Sequence, residues 1–212
     1  MQSLTKKHKK RMTKLRVFAT LCAVLLTVSM ATAQSNISLA FTGFGFDFGK
    51  GENVRIYKRS ISDGKKNPVF EPGLRFAAEV YASPATSIKL AQTFRYDVME
   101  RMSISTQLML RFRVFRVYKH SVSLGVGPTA FYRRSWSNID GYVDEGIYEE
   151  GSWQHKIAWL STEVEYNYII GRFTDISFAM THMQPKGLGF ALGIKYWFTR
   201  KSNKCGTCPS FK

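Results

Sequence analysis

The chain has 212 residues with 31 Lys and Arg against 15 Asp and Glu, a formal charge of +16, and is 14% aromatic. Seven of the bases and none of the acids precede residue 34, so the remaining 179 residues carry +9, a balance and a size that suit one domain facing an anionic lipid surface. No run after residue 33 reaches 18 apolar residues, which excludes a transmembrane helix and leaves strands as the only way to cross a bilayer.

Residues 1–33 read as a signal peptide. Lys6, Lys7, Lys9, Lys10, Arg11, Lys14 and Arg16 form its basic region. Val17–Met30 is an apolar stretch of 14 residues, and Ala31-Thr32-Ala33 supplies the small residues for cleavage between Ala33 and Gln34. Cys22 is a poor lipoprotein cysteine, because Leu21 stands where a small residue is wanted. With this segment removed, the basic charge gives no argument for nucleic-acid binding.

Residues 34–198 contain eight stretches in which apolar and polar residues alternate with period two, the mark of strands with one apolar face. The first, Ile37–Phe48, changes phase from odd (Ile37, Leu39, Phe41) to even (Phe44, Phe46, Phe48), which calls for a bulge near Thr42-Gly43. The second, Val69–Tyr81, sets Leu74, Phe76 and Val80 against Glu71, Arg75 and Glu79. The third, Thr86–Asp97, sets Ile88, Leu90 and Phe94 against Lys89, Arg95 and Asp97. The fourth, Arg101–Phe115, sets Leu108, Leu110 and Phe112 against Arg111 and Arg113. The fifth, Ser121–Arg133, places Leu124 and Val126 opposite Gly125, Gly127 and Arg133. The sixth, Lys156–Tyr168, places Leu160, Val164 and Tyr166 opposite Glu163 and Glu165. Asp175–His182 is the seventh. Gly187–Phe198 is the eighth, with Leu188, Phe190, Leu192, Ile194, Tyr196 and Phe198 in alternate positions and Lys195 on the other face.

Three links at one end are short (Ala82–Ala85, Arg116–His120, Ile169–Thr174), and two at the other are long (Gly49–Pro68, Arg134–His155); Val98–Glu100 and Met183–Lys186 are short exceptions. Aromatic residues fall near both ends: Phe112, Tyr166, Tyr168, Tyr196 and Phe198 at one, Phe70, Phe94, Tyr96 and Tyr132 at the other. Together these features predict an all-β, eight-stranded, antiparallel up-and-down transmembrane barrel with its apolar face outward. A soluble lipocalin-like carrier has the same alternation with the apolar face inward.

In the outward arrangement the polar face fills the lumen. Arg75, Lys89, Arg95, Arg101, Arg111, Arg113, Arg133 and Lys195 would meet Glu71, Glu79, Asp97, Glu163, Glu165 and Asp175 there, and buried charges must be paired, so strand-bridging ion-pair networks are expected. Glu163 and Glu165 share a face about 7 Å apart by strand rise, the spacing of an acid–base pair, but the surrounding arginines point to structural pairing. The two long loops have opposite charge: Lys50, Arg55, Lys58, Arg59, Lys65 and Lys66 in one; Asp140, Asp144, Glu145, Glu149 and Glu150 in the other. They could dock over the barrel mouth, or bind lipopolysaccharide phosphates and a protein partner. His8, His120, His155 and His182 form no ligand cluster, and no cofactor or metal is expected. His182 loosely resembles the histidine of lipid A deacylases, which carry a serine two residues on, where this chain has Gln184. Residues 199–212 form a basic tail in which Cys205 and Cys208 stand as Cys-Gly-Thr-Cys-Pro; a small-ring disulfide or free thiols are expected, since no strand–helix–strand context or following His supports redox or haem chemistry.

Four segments carry a resemblance: Gly127-Pro128-Thr129 through Arg133-Arg134-Ser135-Trp136, Gly141-Tyr142-Val143-Asp144-Glu145, Glu163-Val164-Glu165-Tyr166-Asn167-Tyr168, and Gly193-Ile194-Lys195-Tyr196-Trp197-Phe198. They resemble small, uncharacterised outer-membrane barrel proteins of the Bacteroidetes. The resemblance implies fold and localisation and carries over no catalytic residue. The function expected is that of a non-enzymatic, monomeric outer-membrane barrel, structural or engaged in surface interaction. Its partners would be membrane lipid, lipopolysaccharide and a surface or periplasmic protein. The alternatives are a lipid A-modifying enzyme and the soluble carrier.

Overall fold

A strand with two free edges needs a neighbour on each side, and eight strands of similar length can supply all sixteen edges only by closing on themselves. The computed structural model does this. It describes residues 35–47, 53, 56–58, 67–144, 146, 148–149, 151–183 and 187–198. The strands are β1 (Ser35–Asp47), β2 (Asn67–Tyr81), β3 (Thr86–Tyr96), β4 (Met102–Val117), β5 (His120–Arg134), β6 (Trp153–Ile169), β7 (Thr174–Met183) and β8 (Gly187–Trp197). Each pairs antiparallel with the next, and β8 pairs with β1 to close the barrel. The signal peptide with its Ala33–Gln34 junction and the tail with Cys205 and Cys208 lie outside the described residues.

The register sets the stagger. The pairing path from Ser35 runs through Val80, Ile88, Leu110, Val126, Thr162, His182 and Leu188 and returns to β1 at Phe46. That is eleven residues above its start, and one of the eleven is the extra residue of the β1 bulge, which leaves a shear of ten. Strands so staggered must tilt, and eight of them enclose a bore that their own side chains can fill.

The bulge in β1 falls between Thr42 and Gly45, where the change of phase calls for it. Two others break the alternation expected from sequence. An extra residue in β4 shifts the register between Arg113 and Phe115, so Val114 and Phe115 both face outward. An extra residue in β6, opposite Gly127–Thr129, turns Trp159 and Leu160 both outward and moves the outward phase to Ile157 and Trp153. β6 therefore starts three residues earlier than its alternation indicates, and β4 runs two further. Asp97 belongs to the turn after β3 rather than to the strand: it accepts the backbone N–H of Met99 and Arg101.

The partition is apolar outside, polar inside. Leu39, Phe76, Leu90, Leu108, Leu110, Phe178, Leu192 and Ile194 are exposed on the outer wall. Lys89, Arg111, Glu79, Glu163, Glu165 and Lys195 are buried within. This is the reverse of a soluble carrier and is the arrangement of a transmembrane β-barrel. Tyr96 and Tyr132 near one rim and Tyr166, Tyr196 and Phe198 near the other are outward as well. No helix among the described residues is long and apolar enough to cross a membrane; the strands make the crossing. Two inward glycines allow neighbouring strands to approach: a Cβ on Gly193 would stand 2.2 Å from the Leu39 carbonyl oxygen, and one on Gly127 2.0 Å from that of Leu108.

Candidate functional site

Alternation delivers one inward side chain every second residue, and the stagger brings those of distant strands to similar depths. Seven charged residues from five strands meet in this way. Glu163 and Glu165 on β6 occupy the centre. Glu163 Oε1 accepts from Lys89 Nζ at 2.8 Å and has Arg111 Nε at 3.6 Å, while Oε2 pairs with Arg75. Glu165 Oε2 meets Lys89 Nζ at 2.5 Å, and Oε1 meets Lys195 Nζ at 2.5 Å and Arg111 Nη2 at 3.0 Å. Glu79 takes Arg111 Nη1 at 2.7 Å and Lys195 Nζ at 3.0 Å, and also accepts from Ser87 (2.6 Å) and Asn36 (3.2 Å). Four cations thus face three carboxylates. Every carboxylate has at least two cationic partners, so none is placed to act as a base, and the side chains plug the bore.

The other charged residues expected in the lumen have other partners. Glu71 and Arg95 pair with each other at 2.8 Å, nearer the long-loop end and partly exposed. Asp97 accepts the Trp136 indole N–H at 2.8 Å, and Arg101 donates to the Ser135 carbonyl. Arg133 lies between the rings of Trp136 and Tyr148, 3.8 Å from each centroid, and its Nε donates to Gln154 at 2.9 Å. At the short-turn end Arg113 donates to the Pro84 carbonyl at 3.0 Å and lies over Tyr81, and Asp175 accepts the Trp197 indole N–H at 2.8 Å. At the barrel ends, Asp97, Arg101, Arg113 and Arg133 meet loop carbonyls, turn amides and aromatic rings.

The two long loops do meet over the mouth, through neutral groups. Asn53 donates to the Val143 carbonyl at 2.8 Å and accepts the Val143 N–H at 2.9 Å. Tyr57 and Tyr142 each pack edge-on against Trp136, over a cluster of Val69, Val98 and Met99. The Tyr57 hydroxyl donates to Asp47 at 2.6 Å, tying this roof to the end of β1. Of the loop charges, Lys50, Arg55, Arg59, Lys65, Lys66, Glu145 and Glu150 lie outside the described residues. Burial pushes the Tyr148 phenol up, against the opposing pull of Arg133.

Beneath the roof is a cavity of about 170 Å³ whose wall includes Tyr57, Arg133, Trp136, Tyr142 and Tyr148. Below it, a second cavity of about 40 Å³ reaches down to Arg75. Gly45, Glu71, Arg95 and Gly189 border both. The aromatic clamp on Arg133 and the Asn53–Val143 pairing join residues far apart in sequence, and only the density of Trp and Tyr in the second loop marks them in the chain. Among the described residues, no group of three His, Cys, Asp or Glu is placed to hold a metal ion. His182 pairs through its backbone with Thr162 and Leu188 at the loop end of β7.

No protein-family model and no curated protein sequence matches the chain. Solved structures do match at low identity. The attachment invasion locus protein Ail of Yersinia pestis is 13% identical, with a TM-score of 0.47 over 78% of this chain and 99% of that one. The N-terminal β-barrel domain of Pseudomonas aeruginosa OprF is 11% identical, with a TM-score of 0.47 over 79% and 100%. Neisserial surface protein A is 10% identical, with a TM-score of 0.49 over 77% and 96%.

Proposed function

We propose that the protein is a non-enzymatic barrel of the bacterial outer membrane, closed to solutes, which displays its two long loops to the exterior as an interaction surface. The plugged lumen carries this reading. A bore filled by Arg75, Lys89, Arg111 and Lys195 on three glutamates conducts nothing, and its carboxylates are neutralised in place. What remains for function is the exterior and the roof. The exterior suits lipid and lipopolysaccharide. A closed barrel leaves no free strand edge, which favours a monomer. Kinship with the Bacteroidetes barrels belongs to the same reading, on the four segments quoted above. So does export by a signal peptide cleaved after Ala33.

Labelling of intact cells tests this reading together with lipid A mass spectrometry. A cysteine at Ser137, exposed in the second loop, is expected to react with an impermeant maleimide. Deleting the gene is expected to leave the lipid A acyl pattern unchanged. An altered acyl pattern would replace this reading with the enzymatic one, and an unreactive Ser137→Cys would place the loops on the periplasmic side.

A further inference from the structure

We infer that the smaller cavity is a binding site for one monovalent anion of chloride size, seated on Arg75 and reached from the mouth. The inference goes beyond the proposed function and rests on three features. The first is charge. Four cations share three carboxylates in the plug, and Arg75 pairs with Glu163, a carboxylate on which Lys89 and Arg111 also draw. Among the described residues, the other charged residues on the cavity wall are Glu71 and Arg95, which neutralise each other at 2.8 Å. A net buried charge is costly, so the site favours a counter-ion.

The second feature is an unmet donor. Arg75 is 5% exposed. Its Nη2 donates to Gln107 and pairs with Glu163, and its Nη1 is 3.4 Å from Thr181 Oγ1. Among the described residues, its buried Nε–H has no partner, and neither does the Thr42 hydroxyl. Both residues border the cavity, as do Thr93, Ser105 and Thr181. One guanidinium N–H and a set of hydroxyls are hard donors suited to a small anion, and of the acceptors on the wall Gln107 Oε1 is taken by Arg75 Nη2 and Glu71 by Arg95. The third feature is size. About 40 Å³ holds one halide ion or roughly two or three waters, and is too small for phosphate with its hydration shell.

The test uses the full mature protein, folded in detergent, with bromide as probe. Crystals grown in sodium bromide are expected to show an anomalous peak beside Arg75 Nε. The denaturation midpoint is expected to rise with bromide relative to sodium gluconate at equal ionic strength, because a ligand bound only by the folded state stabilises it. Arg75→Gln should abolish the peak and the halide dependence. Thr181→Val leaves the charge network intact and should raise the bromide concentration for half-maximal effect several-fold; it carries the test if Arg75→Gln fails to fold. Water alone in the cavity at high bromide, equal midpoints in the two salts, or a bromide effect unchanged in Thr181→Val would overturn the inference.

Discussion

Removing a carboxylate from the plug should cost far more than removing a cation. Glu165 neutralises three groups, Lys89 and Lys195 at 2.5 Å and Arg111 at 3.0 Å. Glu165→Gln keeps the shape and leaves four cations facing two carboxylates. Breaking a buried pair by removing one partner costs about 3–5 kcal/mol, roughly two to four decades in the folding equilibrium. Lys89→Met keeps the volume and has the opposite effect on balance: three cations then face three carboxylates. Glu163 keeps Arg75 and Arg111, and Glu165 keeps Arg111 and Lys195. Its cost should be no more than about half that of Glu165→Gln, because no charge is stranded. Equilibrium urea unfolding in lipid vesicles, read by the shift in gel mobility of unheated samples, gives both values. A loss for Lys89→Met equal to or greater than that for Glu165→Gln would refute the claim that the plug carries excess positive charge.

Leu110→Arg, on the lipid face, should cost about 2–4 kcal/mol in the same unfolding assay, whereas Ser137→Arg in the exposed loop should change stability little. Gly193→Val places a side chain where even a Cβ would be 2.2 Å from the Leu39 carbonyl oxygen at the closing seam; overpacking of about 1–3 kcal/mol should appear as a lower midpoint, with β1 and β8 exchanging amide hydrogens faster than β3 and β4. Cys205→Ser/Cys208→Ser should insert and resist heat like the parent, because so short a ring constrains little of the unfolded chain; loss of the compact band on unheated gels would extend the fold beyond Phe198.

Most of the barrel was legible because period two survives in five of the eight strands with no interruption that changes the outward face. The bulge in β1 was legible too, because Phe41 and Phe44 stand on opposite phases around a glycine. Those in β4 and β6 were not. Their trace in the chain is a pair of adjacent large apolar residues, Val114-Phe115 and Trp159-Leu160, which alternation reads as noise and a register shift reads as two outward side chains. The ion plug follows from inward positions alone, since any charge at mid-depth in a bore of this width meets its neighbours. The partners of Arg133, Asp97 and Asp175 did not follow, because they sit where the bore opens and where indoles and turn amides compete with carboxylates. Asn53 against Val143 depends on loop conformation, which no periodicity reports.

The central claim is that the exposed face of Leu39, Phe76, Leu110 and Leu192 is solvated by lipid. Residues 34–212, unfolded in urea, should be diluted in parallel into phosphatidylcholine vesicles and into buffer without lipid or detergent. The account predicts a β-sheet circular dichroism spectrum and a faster-migrating unheated band with vesicles, and aggregation without them. A folded, monodisperse protein in plain buffer would contradict it.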